Sequence, residues 1–353
     1  MDFKKELEVF LLEFEPYERG FFSKRLKFAS KYHPLIVKLY RDLFDFSRRG
    51  KKLRAFLVYL GWRLGKGKDI KMILPIALAY ELVHSFLLIH DDIIDQSEVR
   101  RGKPTIHKRY EKLFGPSTSL RASEHYGVSQ ALILGNIAFL EALGLINFSR
   151  FSQNQKLLCQ RQLVNTILET CYGEGLDVEY SYKSASLNQI WKMTELKTAK
   201  YTFIGPLILG ATFAGIEKRQ SENLTKFGLF LGKAFQLHDD FLGIFGDEKV
   251  MGKSILSDMR EGKNTVLIHK ARQTVKGRDK KELEQIWGKR SGRIADLKVV
   301  RKIISDCGTL AWCEWDKEKL VKEAKIYIPK ITSDINLQNI LSQTADFVIR
   351  RES

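Results

Sequence analysis

MILPIALAYELVHSFLLIHDDIID, running from Met72 to Asp95, carries a core-forming segment straight into three carboxylates. Between Met72 and His90 the large side chains recur at i, i+3, i+4 and i+7, which is the spacing of one buried helix face. The same spacing continues outward through Leu53 to Leu64 and Ile36 to Phe44, and strict strand-length alternation is hard to find. Seven prolines, at 16, 34, 75, 104, 116, 206 and 329, leave long unbroken segments between them. Breaks are expected where glycine or charge accumulates: 48–52, 65–69, 100–104, 115–118 and 246–263. No repeat at a solenoid period and no low-complexity tract occurs. The expected fold class is therefore all-α, as a single domain over 1–353. Its motif-bearing core spans about 48–265, and its basic helical C-terminal part about 270–353, least legible between Lys276 and Lys302.

With 353 residues, 44% of them apolar, the chain can bury a substantial core. A formal net charge of +17 calls for an anionic partner, whether nucleic acid, an acidic membrane surface or a phosphorylated substrate. Cys159, Cys171, Cys307 and Cys313 show no metal-ligand spacing and are too few for a disulfide framework, which fits a reducing cytoplasm. The start, Met1-Asp-Phe-Lys-Lys-Glu, is charged with both signs and does not read as a secretory signal. Tyr201 to Ile216, one of the longest uncharged stretches, is interrupted by Gly205, Pro206 and Gly210 and is shorter than the roughly 20 residues of a membrane span. A soluble protein is expected, with peripheral membrane contact left open.

The acidic groups carry the chemistry. Asp91 and Asp95 lie one helical turn apart, so both carboxylates can grip a hard cation with Asp92 beside them. About 150 residues further on, Asp239-Asp240 follows the apolar run Ala234 to His238. Carboxylates crowded against core sequence are costly unless something cationic neutralises them, which points to shared divalent metal. Arg100 and Arg101 follow the first group at once, offering planar donor forks to phosphate oxygens. Upstream, Lys51 and Arg54 face one way at the start of a helix and suit a second anion held without metal.

These motifs, in their order, resemble the trans-isoprenyl diphosphate synthases, or polyprenyl synthetases, from about Lys51 to Lys263. Gly50-Lys-Lys-Leu-Arg54 is similar to the family's GKxxR segment, and Leu88 to Asp95 with Arg100-Arg-Gly-Lys-Pro-Thr105 to its first aspartate-rich motif. Lys197-Thr198 matches its Lys-Thr pair. Phe235 to Asp247, then Gly252-Lys-Ser254 and Ser257 to Lys263, resemble its second aspartate-rich motif and the following loop. The resemblance implies an isoprenoid-synthase-type helical bundle around a central cavity, usually homodimeric. It implies three magnesium ions, with manganese a substitute, bound by Asp91, Asp95 and Asp239 with Asp92 and Asp240. Arg100, Lys197, Lys253 and Lys263 would hold the allylic diphosphate, Thr198 and Gln236 would add substrate contacts, and isopentenyl diphosphate would sit on Lys51, Arg54, His84 and Arg101. The implied reaction ionises the allylic diphosphate, lets the isopentenyl double bond attack the cation, and loses a proton to the displaced diphosphate. His90 and His238 are then given no catalytic role, each being expected as a packed or hydrogen-bonded histidine.

Three positions depart from the family pattern: Gly243 replaces a frequent third aspartate, Asn136 a frequent aspartate, and Glu174 a frequent glutamine. Phe86, five residues before Asp91 and so about 7.5 Å deeper along the helix, with Leu87 beside it, is the expected floor setting chain length. The resemblance implies that an aromatic there, with no insertion in the first motif, goes with short products, which favours the C20 product geranylgeranyl diphosphate, with the C15 farnesyl product next. Other readings are weaker. A class I terpene cyclase has no need of Lys51, Arg54 and Arg101, and a phosphohydrolase of the His-Asp type lacks further metal-ligating histidines. A non-catalytic basic scaffold or nucleic-acid binder has charge in its favour but no recognisable nucleic-acid motif.

Overall fold

The computed structural model describes residues 2–113, 119–248, 252 and 254–350, and these are almost entirely helical. The expected break at 115–118 lies outside the described residues. The chain divides into two compact units, one formed by residues 4–161 and 206–216, the other by 1–3, 162–205 and 217–353.

The first unit is built on α1 (Phe3–Ala29), α2 (Pro34–Ser47), α3 (Leu53–Leu64), α4 (Ile70–Ile94), α5 (Ile106–Glu111) and α6 (Leu120–Asn147), with α9 (Gly205–Phe213) added from later in the chain. The Met72–Asp95 stretch is α4, entered through Asp69, whose side chain accepts from the Lys71 N–H. It is apolar nearly all round because it is buried nearly all round, packed against α3 and α6. Pro16 and Pro75 lie inside α1 and α4, and the helical spacing read from Met72 to His90 continues through Pro75. By length and composition α4 and α6 could each cross a membrane, a property hidden from a search for uncharged runs by Glu81 and Asp91 in α4. In α4, 72% of the apolar window is buried inside the fold, as in the core helix of a globular protein.

Where the sequence suggested only a break at 100–104, the chain forms a minimal hairpin, β1 (Val99–Arg100) against β2 (Lys103–Pro104). Arg101 and Gly102 turn it with φ of 53° and 69°, the left-handed pair that a two-residue turn needs. Such a short ribbon leaves no periodicity to read.

The second unit contains most of α7 (Gln153–Tyr182), α8 (Leu187–Thr194), a π-helix over Glu195–Ile204, and α10 (Lys218–Phe245). It continues through α11 (Ser257–Glu261), α12 (Val266–Thr274), α13 (Gly277–Ile286), α14 (Ile294–Asp306), α15 (Thr309–Lys325), α16 (Ile328–Ile331) and α17 (Ile335–Arg350). α10 is its axis, packed on the π-helix and α15. The basic C-terminal part is folded: Leu283, Leu297, Val300 and Ile304 join Leu237, Ile244 and Val266 in one buried cluster, while the lysines and arginines that obscured the pattern mostly occupy the outer faces.

Candidate active site

The last turn of α4 carries Asp91 and Asp92, and Asp95 caps it. Gln96 follows at φ 51°, and the N–H groups of Gln96 and Ser97 return to the carbonyls of Ile93 and Asp92, at 3.2 and 2.9 Å. This double closure satisfies the helix end and turns the chain back at once. Three carboxylates at the negative end of a helix dipole repel one another and the helix itself. Arg100, delivered by the hairpin, is the counter-charge: its Nε donates to Asp92 Oδ1 at 2.6 Å and its Nη2 to Asp91 Oδ2 at 2.8 Å. Burial alone would lower the Arg100 pKa, but Asp92 and Asp91 more than reverse that and raise it. Asp92 is 1% exposed, and burial, helped by Asp91 and Asp95, pushes its carboxyl up to about 6 against the pull of Arg100. Its Oδ2 is buried with no hydrogen-bond partner among the described residues. Hard carboxylate oxygens with a buried acceptor to satisfy fit a magnesium-type cation.

The next residue points elsewhere. Arg101 donates to the Phe46 carbonyl at 3.1 Å, lies over the Phe46 ring, and rests on the 48–52 turn, where a Cβ on Gly50 would stand 3.3 Å from its Nη2. Arg54, in the first turn of α3, donates to His84 Nε2 of α4 at 3.2 Å. Since a guanidinium only donates, the imidazole must accept there and carry its proton on Nδ1. Burial, then the charges of Arg54, Arg101 and Arg100, hold the His84 pKa well below its usual value, so the ring is neutral. The first unit thus brings Arg54, His84 and Arg101 together. Lys51 is exposed on the adjoining turn.

Lys52 turns inward at φ 55°, its ammonium buried against Glu18 Oε1 at 2.7 Å and the Ser47 carbonyl at 2.9 Å. Glu81 of α4 accepts from the Ala55 N–H and so caps α3 in place of a local side chain. Neither role was readable, because Glu18 lies 34 residues from Lys52 and Glu81 lies 26 from Ala55.

Phe86 sits on α4 one turn before His90, its ring 4.7 Å from that imidazole and stacked 5.3 Å from Phe139 of α6. Phe86 and Leu87 are both half-buried. Phe139 escaped the sequence reading because it belongs to no motif.

In the second unit, Lys197 lies in the π-helix and donates to Asp177 Oδ2 at 2.6 Å, with Glu174 Oε2 at 2.9 Å. Gly173 makes this possible: a Cβ there would stand 2.3 Å from the Lys197 backbone nitrogen. Lys263 approaches the same Asp177 at 3.7 Å and Glu261 at 3.4 Å. Thr198 donates to Gln236 Oε1 at 2.5 Å, Gln236 Nε2 donates to Asp240 Oδ1 at 2.9 Å, and the Val266 N–H donates to Asp240 Oδ2 at 3.2 Å. Asp240 is therefore buried and hydrogen-bonded on both oxygens. Burial, then Asp258 and Asp239, push its carboxyl up to about 8. Asp239 beside it is half-exposed. Lys253 lies outside the described residues.

Gly243 has a local explanation. A Cβ at this position would stand 2.2 Å from Asp258 Oδ2. The space beside α10 where a side chain would begin holds a carboxylate from α11. Asp177 and Asp258 were absent from the expected site. The only signal for Asp177 was its place one turn beyond Glu174, itself noted as a departure.

An all-α chain with aspartate-rich helix ends beside arginines and lysines is the framework of an enzyme that handles diphosphate with metal. Residues 34–304 match the Polyprenyl synthetase family model. The chain belongs to that family and is a prenyltransferase. It is 28% identical over 304 residues to the geranylgeranyl diphosphate synthase of Methanosarcina mazei, covering 86% of each chain. It is 31% identical over 256 residues to a short chain isoprenyl diphosphate synthase of Methanocaldococcus jannaschii, covering 72% of each. Among solved structures it is similar to a geranylgeranyl pyrophosphate synthase of Corynebacterium glutamicum complexed with isoprenyl diphosphate and magnesium. The TM-score is 0.90 at 26% identity, over 99% of this chain and all of that one.

Proposed function

We propose that this prenyltransferase condenses isopentenyl diphosphate head to tail with an allylic diphosphate, working as a single catalytic domain, and that its main product is the C20 geranylgeranyl diphosphate. The observation that carries the reading is the division of labour at Arg100-Arg101: one guanidinium is committed to the aspartates of α4, while its neighbour is held on the Phe46 carbonyl, where its charge and that of Arg54 both act on neutral His84. Two kinds of anion site side by side suit two diphosphates handled differently. The product length is supported by Phe86 braced on Phe139, and by the names of the relatives.

Asp91, Asp95 and Asp239 would hold magnesium, with Asp92 and Asp240 behind them; magnesium supplies charge stabilisation for the departing diphosphate. Arg100, Lys197, Lys253 and Lys263 add cationic donors where that charge develops. Asp177 and Glu174 hold Lys197 ready, and Thr198 and Gln236 fix Asp240. Arg54, Arg101, His84 and Lys51 orient isopentenyl diphosphate; a neutral His84 with its proton on Nδ1 leaves the positive charge of the group to Arg54 and Arg101. No side chain need form a covalent intermediate. The carbocation and the isopentenyl proton are both resolved by the substrates.

A homodimer in the cytoplasm completes the proposal. In the first unit α6 and the start of α7 expose apolar residues of the kind a second copy would cover, including Leu140 at 64% and Leu157 at 60%. Sedimentation analysis tests this, and a monomer at micromolar concentration would refute it. For the reaction, the purified protein is incubated with isopentenyl diphosphate and each of the C5, C10 and C15 starters, with magnesium or with chelator, and the dephosphorylated alcohols are sized. Magnesium-dependent C20 alcohol is the expected result. A cyclic hydrocarbon or no elongation would sink the reading.

A further inference from the structure

We infer that Lys317, in the basic C-terminal part, is a positioning residue for the second aspartate motif; the inference rests on the proposed role of Asp239 as a metal ligand. Lys317 lies on α15 and is 2% exposed, which is rare for a lysine unless it is held. Its ammonium has three holds. It lies 3.2 Å from His238 Nδ1, donates to Glu314 Oε1 at 2.8 Å, and sits 4.7 Å from the centroid of the Phe241 ring. Phe241 in turn stacks on the His238 ring at an interplanar angle of 15°.

An ammonium has no lone pair to offer, so His238 Nδ1 must accept, and the imidazole is the neutral form with its proton on Nε2. The Lys317 ammonium thereby helps to fix the tautomer and orientation of the residue that precedes Asp239. The same C-terminal helices hold α10 at two further points. Arg301 of α14 donates to the Ile244 carbonyl at 2.6 Å and the Gly246 carbonyl at 3.2 Å, closing the end of the helix. On another side, Gln236 and the Val266 N–H fix Asp240. With His238 and Phe241 held by Lys317 and Asp240 held by Val266, α10 cannot rotate about its axis, and the half-exposed Asp239 between them is aimed. Charge in the C-terminal part is thus partly internal and serves α10, separately from any attraction of anions from solution.

The test uses full-length protein and three readings: side-chain nitrogen NMR of histidine, calorimetric magnesium affinity, and steady-state kinetics. In the wild type, the His238 resonances, assigned by their loss in His238→Asn, should show Nδ1 without a proton and Nε2 with one. Lys317→Met should shift them, weaken magnesium about ten-fold, as loss of a partner behind a metal ligand does, and lower kcat with KM for isopentenyl diphosphate unchanged. His238→Asn, which keeps an acceptor near Nδ1, should retain most of the magnesium affinity. His238→Gln, which moves the acceptor to the Nε2 position, should not. The His238 pair decides the matter if Lys317→Met does not fold. A proton on Nδ1 in the wild type, or magnesium affinity unchanged in Lys317→Met or equal in the two His238 variants, overturns the inference. If the wild type binds magnesium but elongates nothing, the proposed function fails, while the NMR and calorimetric readings still decide the role of Lys317.

Discussion

Gly173→Ala sets two well-known magnitudes against each other. In an unconstrained helix the substitution stabilises by about 1 kcal/mol, since alanine is the better helix former. In α7 the added Cβ would stand 2.3 Å from the Lys197 nitrogen, 2.7 Å from its Cα and 2.9 Å from the Leu196 carbonyl carbon. All three atoms are backbone, so no rotamer change relieves the overlap, and α7 and the π-helix must separate by about 1 Å to restore ordinary contact. Overpacking of this kind costs about 1–3 kcal/mol, which cancels or exceeds the propensity gain. The functional loss should be larger than the stability change, because the displaced residue is Lys197, whose ammonium is set by Asp177 and Glu174. A shift of about 1 Å in a substrate-positioning group typically costs about 100-fold in rate. Urea denaturation and turnover of labelled isopentenyl diphosphate measure the two effects separately. A variant more stable by about 1 kcal/mol with unchanged turnover would show that the two elements do not meet as described.

Asp240 makes stability depend on pH. Burial pushes its folded-state carboxyl up to about 8 from the ordinary 3.8, so between those values the native state keeps a proton the unfolded chain has lost. The metal-free protein should therefore lose stability as pH rises through that window, and Asp240→Asn should flatten the curve; parallel curves from thermal unfolding would refute this. Lys52→Met strands the Glu18 carboxylate and should cost about 3–5 kcal/mol, whereas Lys52→Met with Glu18→Leu should recover most of it in the same denaturation assay. Phe86→Ala should lengthen the product, and Phe139→Ala should do so to a smaller extent by releasing the Phe86 ring. Chromatography showing an unchanged chain distribution would remove Phe86 from that role.

Helices and acidic motifs were legible for a common reason: both are written in short-range spacing. A buried α4 needs apolar residues at helical intervals, and Asp91 and Asp95 share a face by virtue of being four apart. Arg100 and Arg101 were legible as anion binders but their divergence was not, since it depends on two left-handed residues in a hairpin too short to alternate. Gly243 looked like a missing ligand, whereas the fold fills that space with the Asp258 carboxylate. Lys317 disappeared among the lysines of a basic segment, because composition does not distinguish a solvated charge from a buried one.

By itself, then, the sequence determined the helical class, the motifs and, through their order along the chain, the family, because each motif is written in residues within a turn or two of one another. Tertiary structure alone decided which charges are paired. Lys197 with Asp177, Lys52 with Glu18 and Lys317 with His238 lie 20, 34 and 79 residues apart. An ion pair or hydrogen bond depends on distance through space and on burial, and neither is encoded in the local pattern of the chain.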